Sequence, residues 1–177
     1  MKKFLSIFLS ISLFLSILAM PLLEPLVAQA ENSVSGNSIA EITIPGPPAT
    51  IVVYRKSNVM GVYDANNQLL RACFVSTGKA GHETPLGVYQ IYQHTDKGWY
   101  HPMVDGTYGR WCMRFKQGGY MIHSVCYANA GDAEPIPQEV ADIGTSVSRG
   151  CVRLNVTDAE WLYNATSDGC SVIVIDY

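Results

Sequence analysis

Trp111-Cys112-Met113-Arg114-Phe115-Lys116-Gln117-Gly118-Gly119-Tyr120-Met121-Ile122-His123-Ser124-Val125 is the stretch on which the fold turns. Trp111–Phe115 and Tyr120–Val125 are short runs rich in aromatic and apolar residues. They flank Gln117-Gly118-Gly119, whose glycines supply the positive φ of a tight turn, so the stretch reads as a β-hairpin. Counting outward from Gly118 sets Cys112 opposite about Ser124, with Cys126 one diagonal neighbour away. The same pattern continues on both sides. Ile51-Val52-Val53-Tyr54, Val59 to Tyr63, Leu70 to Ser76, the alternating Gly87 to Tyr92 and Ser171 to Asp176 read as strands, with a turn over Asp64 to Gln68. Helical patterns are few. One starts at Thr157, read as the N-cap, with Asp158 and Glu160 ahead of Trp161, Leu162 and Tyr163; a weaker one covers Pro137 to Ile143. No internal repeat is visible. The expectation is a mainly β single domain with one or two short helices.

The 177 residues carry a net charge of -3. That length gives one domain with a real core. The sign of the charge argues against a nucleic-acid partner, which needs a basic surface. Residues 1–30 stand apart. Lys2 and Lys3 precede an apolar stretch from Phe4 to Ala19, and Ala28-Gln29-Ala30 fits the small-x-small pattern of a signal peptidase site. An uncleaved anchor is the alternative, because the apolar stretch continues to Leu23; a buried N-terminal helix is a third reading. Cleaved or anchored, the segment predicts an exported, extracytoplasmic domain, touching the membrane only through this segment if it is retained. Residues 31–49, rich in Ser, Asn, Gly and Pro and ending in Pro45-Gly46-Pro47-Pro48, read as a linker to a domain over 50–177.

Five cysteines, at 73, 112, 126, 151 and 170, leave at least one thiol unpaired within the chain. The expectation for Cys73, Cys112, Cys126 and Cys170 is that most are free and buried. Cys151 has the most telling surroundings. In Ser148-Arg149-Gly150-Cys151-Val152-Arg153, cations flank the thiol, which favours the reactive thiolate. The glycine lets backbone approach a reacting carbonyl, and neighbouring N–H groups are then candidate oxyanion donors. The plainer reading is a structural loop cysteine. A nucleophilic cysteine needs a base within hydrogen-bond reach. Of the four histidines, His82, His94 and His101 lie in polar loop contexts. His123 instead alternates with apolar neighbours in a strand, where it is either a hydrogen-bonded core residue or the base. The loop Gln93 to Arg110, with Trp99, Tyr100, Tyr108 and three glycines, reads either as a flap over a cleft or as an ordinary long connection.

Gly119-Tyr120-Met121-Ile122-His123-Ser124 with Ser148-Arg149-Gly150-Cys151-Val152-Arg153-Leu154 resembles the signature of the L,D-transpeptidase catalytic domain family, the YkuD-like domains. Thr84-Pro85-Leu86-Gly87-Val88-Tyr89, the strand Trp111 to Phe115 and the helix around Asp158 to Tyr163 resemble further family segments in the same order. The resemblance runs from about Thr50 to the end. It implies a β-sandwich or barrel fold, no cofactor, no metal, and peptidoglycan stem peptides as partners. Cys151 is then the nucleophile, His123 the base, and the N–H groups around Gly150 and Cys151 the oxyanion donors. Ser148 and Arg149 line the site. Arg153 supports it, meets a substrate carboxylate, or forms a structural ion pair. The carbonyl of Ser124 fixes the imidazole tautomer, and Trp99 and Tyr100 form a lid. The implied reaction is a 3→3 cross-link through a cysteinyl thioester, in a protein expected to be monomeric.

Three departures stand out. Arg149 replaces a frequent histidine, Cys170 sits where a small hydroxyl residue is common, and the stretch between His123 and Cys151 is long, as if a loop were inserted. Other readings remain open on sequence alone. Water in place of an amine acceptor gives an L,D-carboxypeptidase. A disulfide holding Cys151 gives a non-catalytic wall-binding domain. A zinc site from His123, Cys126 and Cys151 has one plausible ligand pair and no second to complete it.

Overall fold

Ile51 and Val53 alternate with half-buried neighbours, so the first strand, β1 (Thr50–Tyr54), buries one face and shows the other. The computed structural model describes residues 50–177; the N-terminal segment and linker expected from the sequence lie outside them. The remaining strands are β2 (Val59–Tyr63), β3 (Leu69–Phe74), β4 (Thr77–Gly78), β5 (Gly87–Gln90), β6 (Gln93–His94), β7 (His101–Pro102), β8 (Tyr108–Gly109), β9 (Met113–Lys116), β10 (Tyr120–Ser124), β11 (Ser146–Ser148), β12 (Val152–Leu154) and β13 (Ser171–Ile175). Two helices, α1 (Pro137–Ala141) and α2 (Val156–Ala165), complete the domain. This is the mainly β architecture that the strand pattern predicts.

Five strands form one sheet in the order β3-β2-β1-β13-β5, with the last strand of the chain parallel to the first. Four form a second sheet, β12-β10-β9-β6. Ile51, Val53, Met60, Val62, Val172 and Val174 from the first sheet meet Met113, Phe115, Ile122, Val152 and Leu154 from the second, and Ala159 and Leu162 of α2 join them. Each of these larger side chains contributes roughly 1.5–3 kcal/mol by leaving water. A smaller cluster of Val59 and Ala72 under Tyr54, Leu69 and Phe74 covers part of the other face of the first sheet. None of the five cysteines is in a disulfide, and Cys73, Cys112, Cys126 and Cys170 are buried, as expected.

Three details differ from the sequence reading. The hairpin pairs Tyr120 with Lys116 but Met121 with Arg114, so Phe115 is an extra residue in β9 and the register shifts by one. The simple count outward from Gly118 therefore misplaces every residue beyond Phe115. The α2 helix begins at Val156, not at Thr157: Asn155 is the cap, its side-chain oxygen accepting from the Asp158 N–H at 2.7 Å. The long stretch between β10 and β12 is the crossover that a parallel pair requires.

One buried ion pair ties α2 to the first sheet. Asp158, 2 % exposed, sits 2.5 Å from an Arg71 guanidinium nitrogen, and the same guanidinium lies over the Trp161 ring at 4.6 Å. Burial raises the Asp158 carboxyl above its ordinary value, and Arg71 and Asn155 pull it back in part. Such a pair adds little net stability, yet losing one partner strands the other charge. Asp158→Ala is expected to lower unfolding stability by about 3 kcal/mol in urea titrations; a loss under about 1 kcal/mol would show that Arg71 finds water instead.

Candidate active site

β10 and β12 run parallel, with Ile122 beside Val152, His123 beside Arg153 and Ser124 beside Leu154. Cys151, one residue before Val152, is in step with Met121. Since alternate residues share a face, Ile122, Val152 and Leu154 enter the core while Met121, His123, Cys151 and Arg153 face the opposite side. There they line an open cavity of about 180 Å³ together with His101, Pro102, Met103, Val104, Asp105, Arg114, Gly119, Cys126 and Arg149.

His123 is 2 % exposed, and its Nδ1 lies 2.6 Å from the Ser124 carbonyl oxygen. A carbonyl only accepts, so Nδ1 carries the proton and Nε2 keeps its lone pair. Burial, with Arg153 adding to it, pushes the imidazole down to about 4, so the ring is neutral at pH 7. The Cys151 thiol is shifted upward. Burial raises it, against the Met121 backbone hydrogen bond and the Arg153 and Arg114 charges, which favour the thiolate. The sequence reading expected the flanking cations to prevail; desolvation outweighs them. The resting pair is therefore uncharged, with the Cys151 S–H directed at the Gly119 carbonyl, 3.6 Å away.

The turn carrying Cys151 is built tightly. The Ser148 hydroxyl donates to the Cys151 carbonyl at 2.6 Å and accepts from the Gly150 N–H at 3.0 Å. Ser148 is buried and braces the turn rather than lining the cavity, and the Gly150 N–H it binds is already engaged. Gly150 has φ +110, and a Cβ there would lie 2.7 Å from the Tyr120 ring. Only glycine meets both demands. Behind the turn, β11 pairs with β4, and the Lys79 N–H donates to the Ser148 carbonyl at 3.0 Å.

Of the cations expected at the site, Arg149 is exposed on the cavity wall. Arg153 lines the cavity too, but its Nη1 is held by the Glu139 carboxylate at 2.8 Å, so the structural ion pair is present. Trp99 and Tyr100 do not line the cavity. Trp99 points outward, 69 % exposed. Tyr100 packs edge-on against Tyr127, sits under the Arg110 guanidinium and donates its hydroxyl to the Asp132 carbonyl. The wall from this segment is instead His101 to Asp105, held over His123 by close packing: a Cβ on Gly109 would lie 2.2 Å from the Met103 methyl and 3.0 Å from His123 Nδ1. Asp105 is braced by Thr107, whose hydroxyl donates to it at 2.6 Å. Arg114 and Asp105 carry no sequence motif and His101 reads as a polar loop residue, yet the fold brings all three to the cavity.

The L,D-transpeptidase catalytic domain family matches residues 48–175. YciB of Bacillus subtilis (strain 168), whose name places it among the L,D-transpeptidases, is 25% identical over 91 residues, covering 51% of this chain and 46% of its own. This chain thus spans about half the length of that curated relative. Among solved structures, L,D-transpeptidase 3 from Mycobacterium tuberculosis in complex with a faropenem-derived adduct aligns with TM-score 0.60 at 22% identity, covering 74% of this chain and 61% of that one. An L,D-transpeptidase from Mycobacterium smegmatis aligns with TM-score 0.58 at 22% identity, covering 72% and 58%. These likenesses are of fold. The family match extends over nearly the whole described domain and contains both strands that carry Cys151 and His123, and on it the chain belongs to the L,D-transpeptidase catalytic domain family.

Proposed function

We propose that this domain is a cysteine acyltransferase of the cell wall, exported beyond the cytoplasmic membrane and acting as a monomer on peptidoglycan stem tetrapeptides to form 3→3 cross-links. The observation that carries the proposal is the shared cavity: Cys151 and a histidine with its Nε2 lone pair available open onto one space from adjacent, parallel strands. Cys151 Sγ attacks the carbonyl of the third, L-configured residue while its proton passes to His123 Nε2. The Cys151 N–H is the donor this turn offers the oxyanion, since that of Gly150 is engaged by Ser148. Collapse breaks the amide bond, and His123 hands the proton to the departing D-alanine amine. An acceptor amine then attacks the thioester, loses its proton to His123 and regenerates the thiol. The energy of the broken amide is kept in the thioester, so the cycle requires no cofactor. Because Cys151 is unpaired, a disulfide-bonded binding role loses its premise. Water as acceptor, giving an L,D-carboxypeptidase, is the second reading: the cavity is open, and Trp99 does not cover it.

Incubation with a carbapenem, and separately with muropeptides, should give an acyl adduct on Cys151 by mass spectrometry. Cys151→Ala should give none while keeping the wild-type melting temperature; an adduct on that variant would remove the nucleophile assignment. Chromatography of the muropeptide reaction separates cross-linked dimer from tripeptide and so decides between amine and water.

His123→Ala should slow acylation at least about a hundredfold. The folded pKa places the acid limb of the wild-type acylation rate near pH 4, with a plateau through neutrality. A limb at about 6.5, the ordinary histidine value, would show that the ring is not shielded. The same shift acts on stability. The folded pKa lies below the unfolded one, so the contribution is complete above about 6.5 and is lost as pH falls towards 4. Between pH 7 and pH 5 it amounts to about 2 kcal/mol, which His123→Gln should remove from the pH dependence of urea unfolding.

A further inference from the structure

Three guanidiniums, Arg114, Arg149 and Arg153, and one carboxylate, Asp105, line the cavity, in a chain whose net charge is -3. Positive charge is thus concentrated beside Cys151 against the sign of the whole protein, which is how a cleft gathers an anionic ligand. The three cations are not equivalent. Arg153 is balanced by Glu139 at 2.8 Å. Arg149 is exposed on the wall. Arg114 is half-buried and has no carboxylate partner among the described residues; its Nη2 donates to His101 Nε2 at 3.1 Å. An imidazole nitrogen that accepts from a guanidinium carries no proton, so His101 orients Arg114 without cancelling its charge.

The bulge at Phe115 is what aims this side chain. It sets Arg114 opposite Met121 rather than opposite Ile122, and so on the cavity face. Arg114, Met121 and Cys151 then form a row across β9, β10 and β12. At one strand spacing per step, the Cα atoms of Arg114 and Cys151 are about 10 Å apart. An extended arginine covers most of that distance, leaving room for a small charged group between guanidinium and thiol. The Arg114 charge already acts on the Cys151 thiol, favouring the thiolate.

We propose that Arg114, oriented by His101 and supported by Arg149, is a carboxylate subsite that selects the donor peptide, taking a free carboxylate carried a few bonds from the carbonyl that Cys151 attacks. The inference rests on the acyl-transfer reading of the same cavity. A stem peptide offers this group at two places: the C-terminus of the leaving D-amino acid, and the side chain of a dicarboxylic third residue. Both present the planar oxygen pair that an arginine fork binds through charge-assisted hydrogen bonds.

The test compares a free-acid tetrapeptide with its C-terminal amide and with its side-chain amide, in wild type, Arg114→Gln and Arg114→Lys. In wild type, amidating the carboxylate that is read should lower kcat/KM about tenfold to a hundredfold, mainly through KM. In Arg114→Gln the ratio of free acid to that amide should collapse towards one, and Arg114→Lys should restore part of it. Equal rates on all three donors in wild type, or a ratio preserved in Arg114→Gln, would overturn the proposal. A second measurement needs no peptide turnover: alkylation of Cys151 by iodoacetate relative to iodoacetamide. That ratio should exceed the ratio for glutathione and fall several-fold in Arg114→Gln. An unchanged ratio sinks the subsite, whatever the enzyme acts on. A fallen ratio without stem-peptide turnover upholds the anion subsite and removes only the donor assignment.

Discussion

The parallel pairing of Tyr120–Ser124 with Val152–Leu154 is the constraint on which the site depends. It alone sets His123 beside the cysteine turn, although 27 residues separate His123 from Cys151 along the chain. Parallel strands cannot be joined by a tight turn, so the intervening chain must leave the sheet and return. It does so through the short helix over Pro137–Ala141, whose Glu139 holds Arg153. The crossover thus anchors one of the cavity's cations as well as connecting the strands. The pairing is held from behind by core side chains: Ile122, Val152 and Leu154 fill the space under the helix over Val156–Ala165. The catalytic face is positioned by the apolar face of the same two strands.

The electrostatics follow from depth. His123 is shut away from water and Cys151 is half-buried on the cavity wall, and burial favours the uncharged form of each. Arg114 and Arg153 stand close but do not reverse the balance at rest. Under the proposed mechanism charge is created when the bond to substrate forms, next to groups already oriented to receive it. In the proposed acyl-transfer reading, a site of this kind stores little reactivity at rest, which suits a thiol that waits for a particular carbonyl.

Much of this was readable from residue order. The compact, β-branched runs Ile51 to Tyr54, Val59 to Tyr63 and Ser171 to Asp176 became strands because such side chains fit a pleated, part-buried surface, and that is a local property. The hairpin around Gly118 and the cysteine turn were legible for the same reason: glycines at positive φ leave a mark in sequence. What escaped was non-local. The extra residue at Phe115 is set by how two strands fit over a common core, and no residue type announces it. Arg114, His101 and Asp105 join the cavity only through that register and through the packing of Met103 against Gly109. The sign of the Cys151 shift was misread because neighbouring cations are visible in sequence and burial is not. Trp99 and Tyr100 attracted notice as aromatics on a glycine-rich loop, but Asp132, Tyr127 and Arg110, distant in sequence, decide where Tyr100 goes.

The cysteines have a consequence for how the protein is made. Four of the five thiols are buried, Cys126 at the cavity wall, and none is bridged. Native packing is therefore their protection from oxidation, and the newly made chain has none. In an oxidising compartment folding becomes a race: a chain that buries Cys73, Cys112, Cys126 and Cys170 first is safe, while one that forms a bridge first can no longer close its core. Each later excursion to the unfolded state reopens the race. For a domain exported as proposed, the working lifetime is then set by how rarely it opens, a kinetic property, more than by the equilibrium stability of its fold.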